Sequence, residues 1–99
     1  MKVRILSSAF EDLAVGRAFY ESQGSGLGDY FFDSVFSDID SLVLYGGIHP
    51  KVTGFHRLLT RRFPYAVYYK MEGEGGVIVF RVLDCRQNPA KTKRDLGAV

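Results

Sequence analysis

Tryptophan is absent from this chain of 99 residues, cysteine occurs once, proline three times and histidine twice. A lone Cys85 excludes an internal disulfide, so an apolar core has to hold the fold. His49 and His56 lie seven apart with no cysteine at ligand spacing, which leaves no zinc motif; no metal or other cofactor is expected. The strictly apolar runs are only a few residues long, as in Val77–Phe80, against the about 20 that a transmembrane helix needs. Met1-Lys2-Val3-Arg4 leads into no apolar stretch of the kind that opens a secretion signal. The expectation is a cytoplasmic protein without a membrane segment. Glycine-rich phosphate loops are missing too, since Gly73-Glu74-Gly75-Gly76 is explained by a hairpin turn.

What is present is apolar and cationic. Hydrophobic residues make up 46% of the chain, and the length fits one domain over residues 1–99. The net charge of +2 conceals a division between the halves. Residues 1–50 carry three bases against seven acids, and residues 51–99 carry ten bases against four acids. A basic half attracts a phosphate backbone or an acidic protein surface.

Lys2–Ile5 alternates polar and apolar residues and predicts a short strand. Ser7 or Ser8 then offers a hydroxyl to cap a helix, with Glu11 completing a capping box. Phe10, Leu13, Ala14 and Ala18 recur at helical spacing as its apolar stripe, and Gly24-Ser25-Gly26 marks its end. A longer helix is expected from Leu27 or Gly28 to Leu44 or Tyr45, closed by Gly46-Gly47. Phe55–Arg62, Tyr65–Met71 and Val77–Leu83 read as strands, with Pro64 bending the chain and Glu72–Gly76 making a hairpin. Val77–Leu83, the most apolar of the three, is expected near the centre of a sheet. Asn88-Pro89 ends the regular pattern. Ala90–Val99 is expected either to fray, with 91–99 as a flexible tail, or to form a short helix completed on a partner. The order β-α-α-β-β-β predicts an α+β fold, a two-helix hairpin laid on a small, mainly antiparallel sheet.

Catalytic equipment is sparse. Cys85 between Asp84 and Arg86 has no assigned base and reads as a small buried or semi-buried thiol. Asp29, Asp33 and Asp40 read as solvated charge on a helix. Arginine remains: Arg57 and Arg61 alternate with Leu59 on the first late strand, Arg81 interrupts an apolar strand, and Arg86 follows it. If helices cover one face of the sheet, Arg57, Arg61 and Arg81 converge on the other, where guanidinium forks suit carboxylate or phosphate oxygens. For Arg81 an internal pair with Asp84 or a helix acid is the alternative. The candidate partner-binding residues are therefore Arg57, Arg61, Arg81 and Arg86, joined by Lys91, Lys93 and Arg94 of the tail.

Several segments resemble RelE/ParE-type toxins. In the first half they are Ala9-Phe10-Glu11-Asp12-Leu13, Phe19-Tyr20-Glu21-Ser22-Gln23 and Gly26-Leu27-Gly28 with Phe31 or Phe32. In the second half they are Phe55-His56-Arg57, Arg62-Phe63-Pro64-Tyr65-Ala66-Val67-Tyr68-Tyr69 and Val82-Leu83-Asp84-Cys85-Arg86-Gln87-Asn88-Pro89. The resemblance runs in the same order over nearly the whole chain. It implies the toxin half of a bacterial type II toxin–antitoxin pair, wrapped and neutralised by a cognate antitoxin. One branch of the superfamily cleaves messenger RNA on the ribosome with basic residues and often a tyrosine; the other poisons DNA gyrase. The ribonuclease branch usually carries an arginine after the aromatic where Ala66 stands, a lysine-rich strand where Arg57-Leu58-Leu59 stands, and a late tyrosine, whereas nothing aromatic follows Phe80. The resemblance therefore leans to the ParE-like, non-nucleolytic branch. The alternatives are a ribonuclease using Arg57, Arg86 and His56, and a solitary non-toxic relative that only binds an antitoxin.

Overall fold

The computed structural model describes residues 1–98, so Val99, the last residue of the expected tail, lies outside the described residues. In chain order the elements are β1 (Lys2–Ile5), α1 (Ser7–Gln23), α2 (Leu27–Asp40), α3 (Leu42–Tyr45), β2 (Lys51–Val52), β3 (Phe55–Leu59), β4 (Tyr65–Glu72), β5 (Gly76–Asp84) and α4 (Pro89–Gly97). The five strands form one sheet in the order β1-β5-β4-β3-β2. Only the β1–β5 pair is parallel, so the sheet is mainly antiparallel as the element order implies.

The aromatic and β-branched run of β4 occupies the middle of the sheet, and alternation sends its side chains to two different cores. Tyr65, Val67 and Tyr69 meet Leu13, Phe31, Val35, Ile39 and Leu42 of the helices, together with Val77, Val79 and Val82 of β5. Ala66 and Tyr68 point the other way, into a smaller cluster with Phe55, Leu83 and Leu96. Leu96 belongs to α4, so the face opposite the hairpin is not bare: the last helix seals part of it. Asn88-Pro89, read above as a stop, is the start of that helix. The Asn88 side chain accepts from the Ala90 amide at 2.8 Å, and Pro89 takes the first helical position, where its missing N–H costs nothing.

Three other local expectations are corrected. Neither Ser7 nor Ser8 caps α1, whose N-cap is Leu6 with no side-chain bond. Between β4 and β5 the register jumps, pairing Tyr68 with Arg81 and Tyr69 with Val79, so Phe80 is left over as a bulge. Ser8 Oγ donates to the freed Phe80 carbonyl at 2.6 Å, a long-range demand that outweighs the cap. The stripe Phe10–Ala14–Ala18 faces outward, while Ala9, Leu13 and Gly16 form the buried face of α1. The long second helix breaks at Ser41, whose hydroxyl turns back to the Asp38 carbonyl at 2.6 Å and competes with the helical pattern.

The helical hairpin turns at Gly26, which sits in the left-handed region at φ 84° and is the N-cap of α2. Beyond the turn the helices approach closely. A Cβ on Gly28 would lie 2.7 Å from the Arg17 carbonyl oxygen, and one on Gly16 would lie 2.6 Å from the Phe31 ring. Small residues at these two crossing points bring Phe31 into the core.

Candidate partner-binding surfaces

Of the three arginines expected to converge, Arg57 and Arg81 both stand opposite Tyr68 on the α4 side of the sheet, whereas Arg61 lies off the strands. Arg81 lies on β5 beyond the end of β1, where the strand has lost its neighbour. Its Nε and Nη2 donate to the two carboxylate oxygens of Asp12 on α1 at 2.7 and 2.9 Å, and Nη1 donates to the Asp95 carbonyl on α4 at 3.2 Å. Asp12 also accepts the unpaired Val82 amide at 2.9 Å. Arg81 is thus held by a helix acid, with its pKa raised chiefly by the Asp12 hydrogen bonds, and it ties α1, β5 and α4 together.

Arg61 lies past the end of β3, which stops at Leu59 and not at Arg62, because the chain turns through Thr60–Phe63. There the Thr60 hydroxyl donates to the Phe63 carbonyl at 2.7 Å. The Arg61 backbone N–H and Nε both donate to the buried Asp38, at 3.0 and 2.9 Å, while most of the arginine stays in solvent. Arg86 makes a two-point pair with Asp84 through Nε at 3.0 Å and Nη2 at 2.8 Å. Those hydrogen bonds hold the Asp84 carboxyl below its usual range despite burial. Lys91 bonds Asp95 one turn further along α4 at 3.0 Å.

Arg57 differs. It stands opposite Tyr68 on the α4 side of the sheet, with the Tyr68 hydroxyl beside its guanidinium and its Nη2 at 3.7 Å from the Cys85 sulfur. Its Nε is buried without a hydrogen-bond partner. Among the described residues no carboxylate pairs with Arg57, Lys93 or Arg94.

The would-be nucleolytic set is also separated. His56 precedes Arg57 on β3 and points to the helix side of the sheet, where its ring stacks on Tyr69 with centroids 5.0 Å apart. Its Nδ1 donates to the His49 carbonyl at 2.6 Å. Burial pushes the Tyr65 hydroxyl up to about 12, with Asp84 adding to the shift, so it stays protonated near neutral pH. Tyr68 and Tyr69 are buried. Among the described residues no group of three or more His, Cys, Asp and Glu side chains gathers as a metal site.

A second open surface runs along the outside of the hairpin. Phe10, Ala14 and Ala18 of α1 and Phe32 of α2 line a groove of about 850 Å³, crossed by Arg17 and Asp29, which pair with each other. Phe32 stacks on Phe36 at 5.7 Å, and Arg17 lies over the Phe32 ring at 5.4 Å. The i, i+4 recurrence of Phe10, Ala14 and Ala18 was the available signal for this groove, but sequence reasoning assigned it to the core. Asp12 and Asp38, the two acids that hold Arg81 and Arg61, were missed as well. In sequence they look like the other helix acids, and only their partners in the sheet and its loops distinguish them.

No family model matches the chain, and no curated protein matches it. Among solved structures it superposes on a chain of the chromosomal ParDE TA system from P. aeruginosa with a TM-score of 0.66. The fold is similar to that of a ParDE component. The match covers 83% of this chain and 92% of the ParDE chain at 17% identity, so the likeness to ParDE is one of fold. No helix among the described residues is long and apolar enough to cross a membrane.

Proposed function

We propose that this chain is the toxin component of a type II toxin–antitoxin pair. In this reading a cognate antitoxin neutralises it, and it inhibits an intracellular target, DNA gyrase, in the cytoplasm. The observation that carries the reading is the fold likeness to a chain of the ParDE system over 83% of the sequence. The residue-level resemblance over the same span supports it. Two surfaces of the free chain are suited to a partner: the apolar groove on the helical hairpin and the cations of α4 and β3 that lack an internal carboxylate. Binding is favoured over ribonuclease chemistry because Arg57 and His56 project from opposite faces of β3 and Tyr65 is a poor base at neutral pH.

The test is induced expression in a host lacking the antitoxin, with and without the product of the neighbouring reading frame. Growth arrest that the neighbour relieves is expected. Unchanged growth with soluble, folded protein overturns the toxin reading in favour of a solitary relative. Arrest accompanied by cleavage of translated messages overturns the choice of target in favour of the ribosome-dependent nuclease.

A further inference from the structure

The C-terminal helix α4 divides the cations at its end of the molecule into two groups. On one side, Arg81 and Lys91 share a cleft of about 290 Å³ with Asp12, Asp84 and Asp95, and each cation has its carboxylate. On the other side, between β3, β4 and α4, lies a cleft of about 360 Å³ lined by Arg57, Tyr68, Gln87, Thr92 and Lys93 among others, with no acidic residue in its wall. Two like charges therefore face one half-enclosed space without a counter-charge, an unfavourable arrangement that an incoming anion relieves.

The guanidinium sets the geometry that a ligand in this cleft would meet. Arg81 and Arg86 each use the Nε–Nη2 edge for a two-point bond to a carboxylate. The same edge of Arg57 meets no carboxylate: its Nη2 reaches the thiol of Cys85 at 3.7 Å, the Tyr68 hydroxyl lies beside the guanidinium, and its Nε has no partner. Releasing that guanidinium from Cys85, which lines the same cleft, presents both donors to a planar oxyanion, with Lys93 on the facing helix.

We propose that the Arg57–Lys93 cleft is a carboxylate-binding site that takes acidic side chains of a partner polypeptide. The inference rests on the reading above that a protein partner neutralises this chain, and it names the chemistry of one contact. A nucleic-acid strand fits less well. It needs cations placed along successive phosphates, whereas Arg61, Arg81 and Arg86 are engaged by Asp38, Asp12 and Asp84, which leaves Arg94 as the one nearby arginine without a carboxylate among the described residues. Two free cations in one cleft match one or two carboxylates.

The experiment is fluorescence anisotropy on the full chain with a capped, dye-labelled peptide alternating Glu and Leu. Its Gln-for-Glu analogue and a short single-stranded RNA are measured in parallel. The acidic peptide should bind about tenfold more tightly than the Gln analogue, with affinity falling as salt rises. Arg57→Gln and Lys93→Glu should each weaken it about tenfold, and Arg62→Gln, outside the cleft, should not. Lys93 is exposed on α4, so Lys93→Glu tests the site even if loss of Arg57 disturbs the fold. Equal affinity for the two peptides, indifference to Lys93→Glu, or tighter RNA binding lost in the same variants would overturn the proposal. The neighbouring gene product separates the two levels. If it neutralises both cleft variants as tightly as the wild type, the cleft assignment fails while the toxin reading stands. If it neutralises none of them, the toxin reading fails, whatever the peptide does.

Discussion

At the scale of single residues, the most consequential contact is Asp12 with Arg81. Both side chains are largely buried, at 13% and 18% exposure, and Asp12 also takes the Val82 amide. Removing the negative charge leaves a guanidinium in low dielectric with no anion, a change that costs about 3 kcal/mol when the pair is buried. Asp12→Asn should lose stability on that scale in urea denaturation, and Asp84→Asn, beside solvent-exposed Arg86, should lose much less. Equal losses would contradict the structural role of Asp12. The sequence offered a helix acid for Arg81 only as one alternative. Arg81 stood out as a charge in an apolar strand, but the choice among a partner, Asp84 and a helix acid depends on α1 packing beside the open end of β5.

His49 contributes to the pH dependence between neutral and mildly acidic pH. Buried Tyr69 accepts the Gly47 amide at 2.9 Å and shares a hydrogen bond with His49 Nδ1, where the ring is enclosed against the sheet. Burial, and then the neighbouring His56, lower the His49 pKa from 6.5. The unfolded chain therefore protonates first as pH falls. The contribution is fully present above the unfolded pKa of about 6.5 and is lost as pH drops through the lower folded value. Stability measured from neutral to mildly acidic pH should decline, and His49→Gln should flatten that decline. An unaltered slope in the variant would remove His49 from this role.

At the scale of elements, the hairpin depends on glycine at its crossing points. Gly28→Ala sets a methyl group against the Arg17 carbonyl oxygen, a backbone atom that cannot swing away, and should cost about 1–3 kcal/mol. A neutral or stabilising result would mean that α1 and α2 have room to separate. The last helix is anchored by one apolar side chain. Leu96→Ala, from a site 2% exposed, should cost about 2–3 kcal/mol and open the α4 amides to exchange before those of β4. Retained protection would show that Arg81 and the Asn88 cap hold the helix without Leu96. The strands β4 and β5, the hairpin between them and both long helices were legible because periodicity and turn residues are local signals. The fate of Ser8 was not, because it answers a bulge 72 residues away, and α4 was obscured because Asn-Pro serves equally to end one element and begin another.

At the scale of the whole molecule, the sheet is closed on one side by α1 and α2 and on the other, in part, by α4. That second cover is why the cations expected to form one bare surface are distributed instead. Arg81 became a tie between layers, Arg61 and Arg86 clamp neighbouring acids, and Arg57 with Lys93 remains open to a ligand. The element order was enough to give the architecture from sequence, because a paired helix and an adjacent run of strands have few ways to bury their apolar faces. The distribution of charge over that architecture was not, since it depends on which acid each arginine meets after folding. In the proposed reading, what remains accessible serves binding to another macromolecule and not hydrolysis by the chain's own side chains.

That claim is tested most directly by incubating the purified chain with DNA gyrase, plasmid DNA and ATP and measuring double-strand cleavage. Cleaved DNA that accumulates with added chain, depends on gyrase and disappears when the proposed antitoxin, the neighbouring gene product, is present is the expected result. Intact DNA under those conditions, together with cutting of messenger RNA in a translating system supplied with the chain, would contradict it.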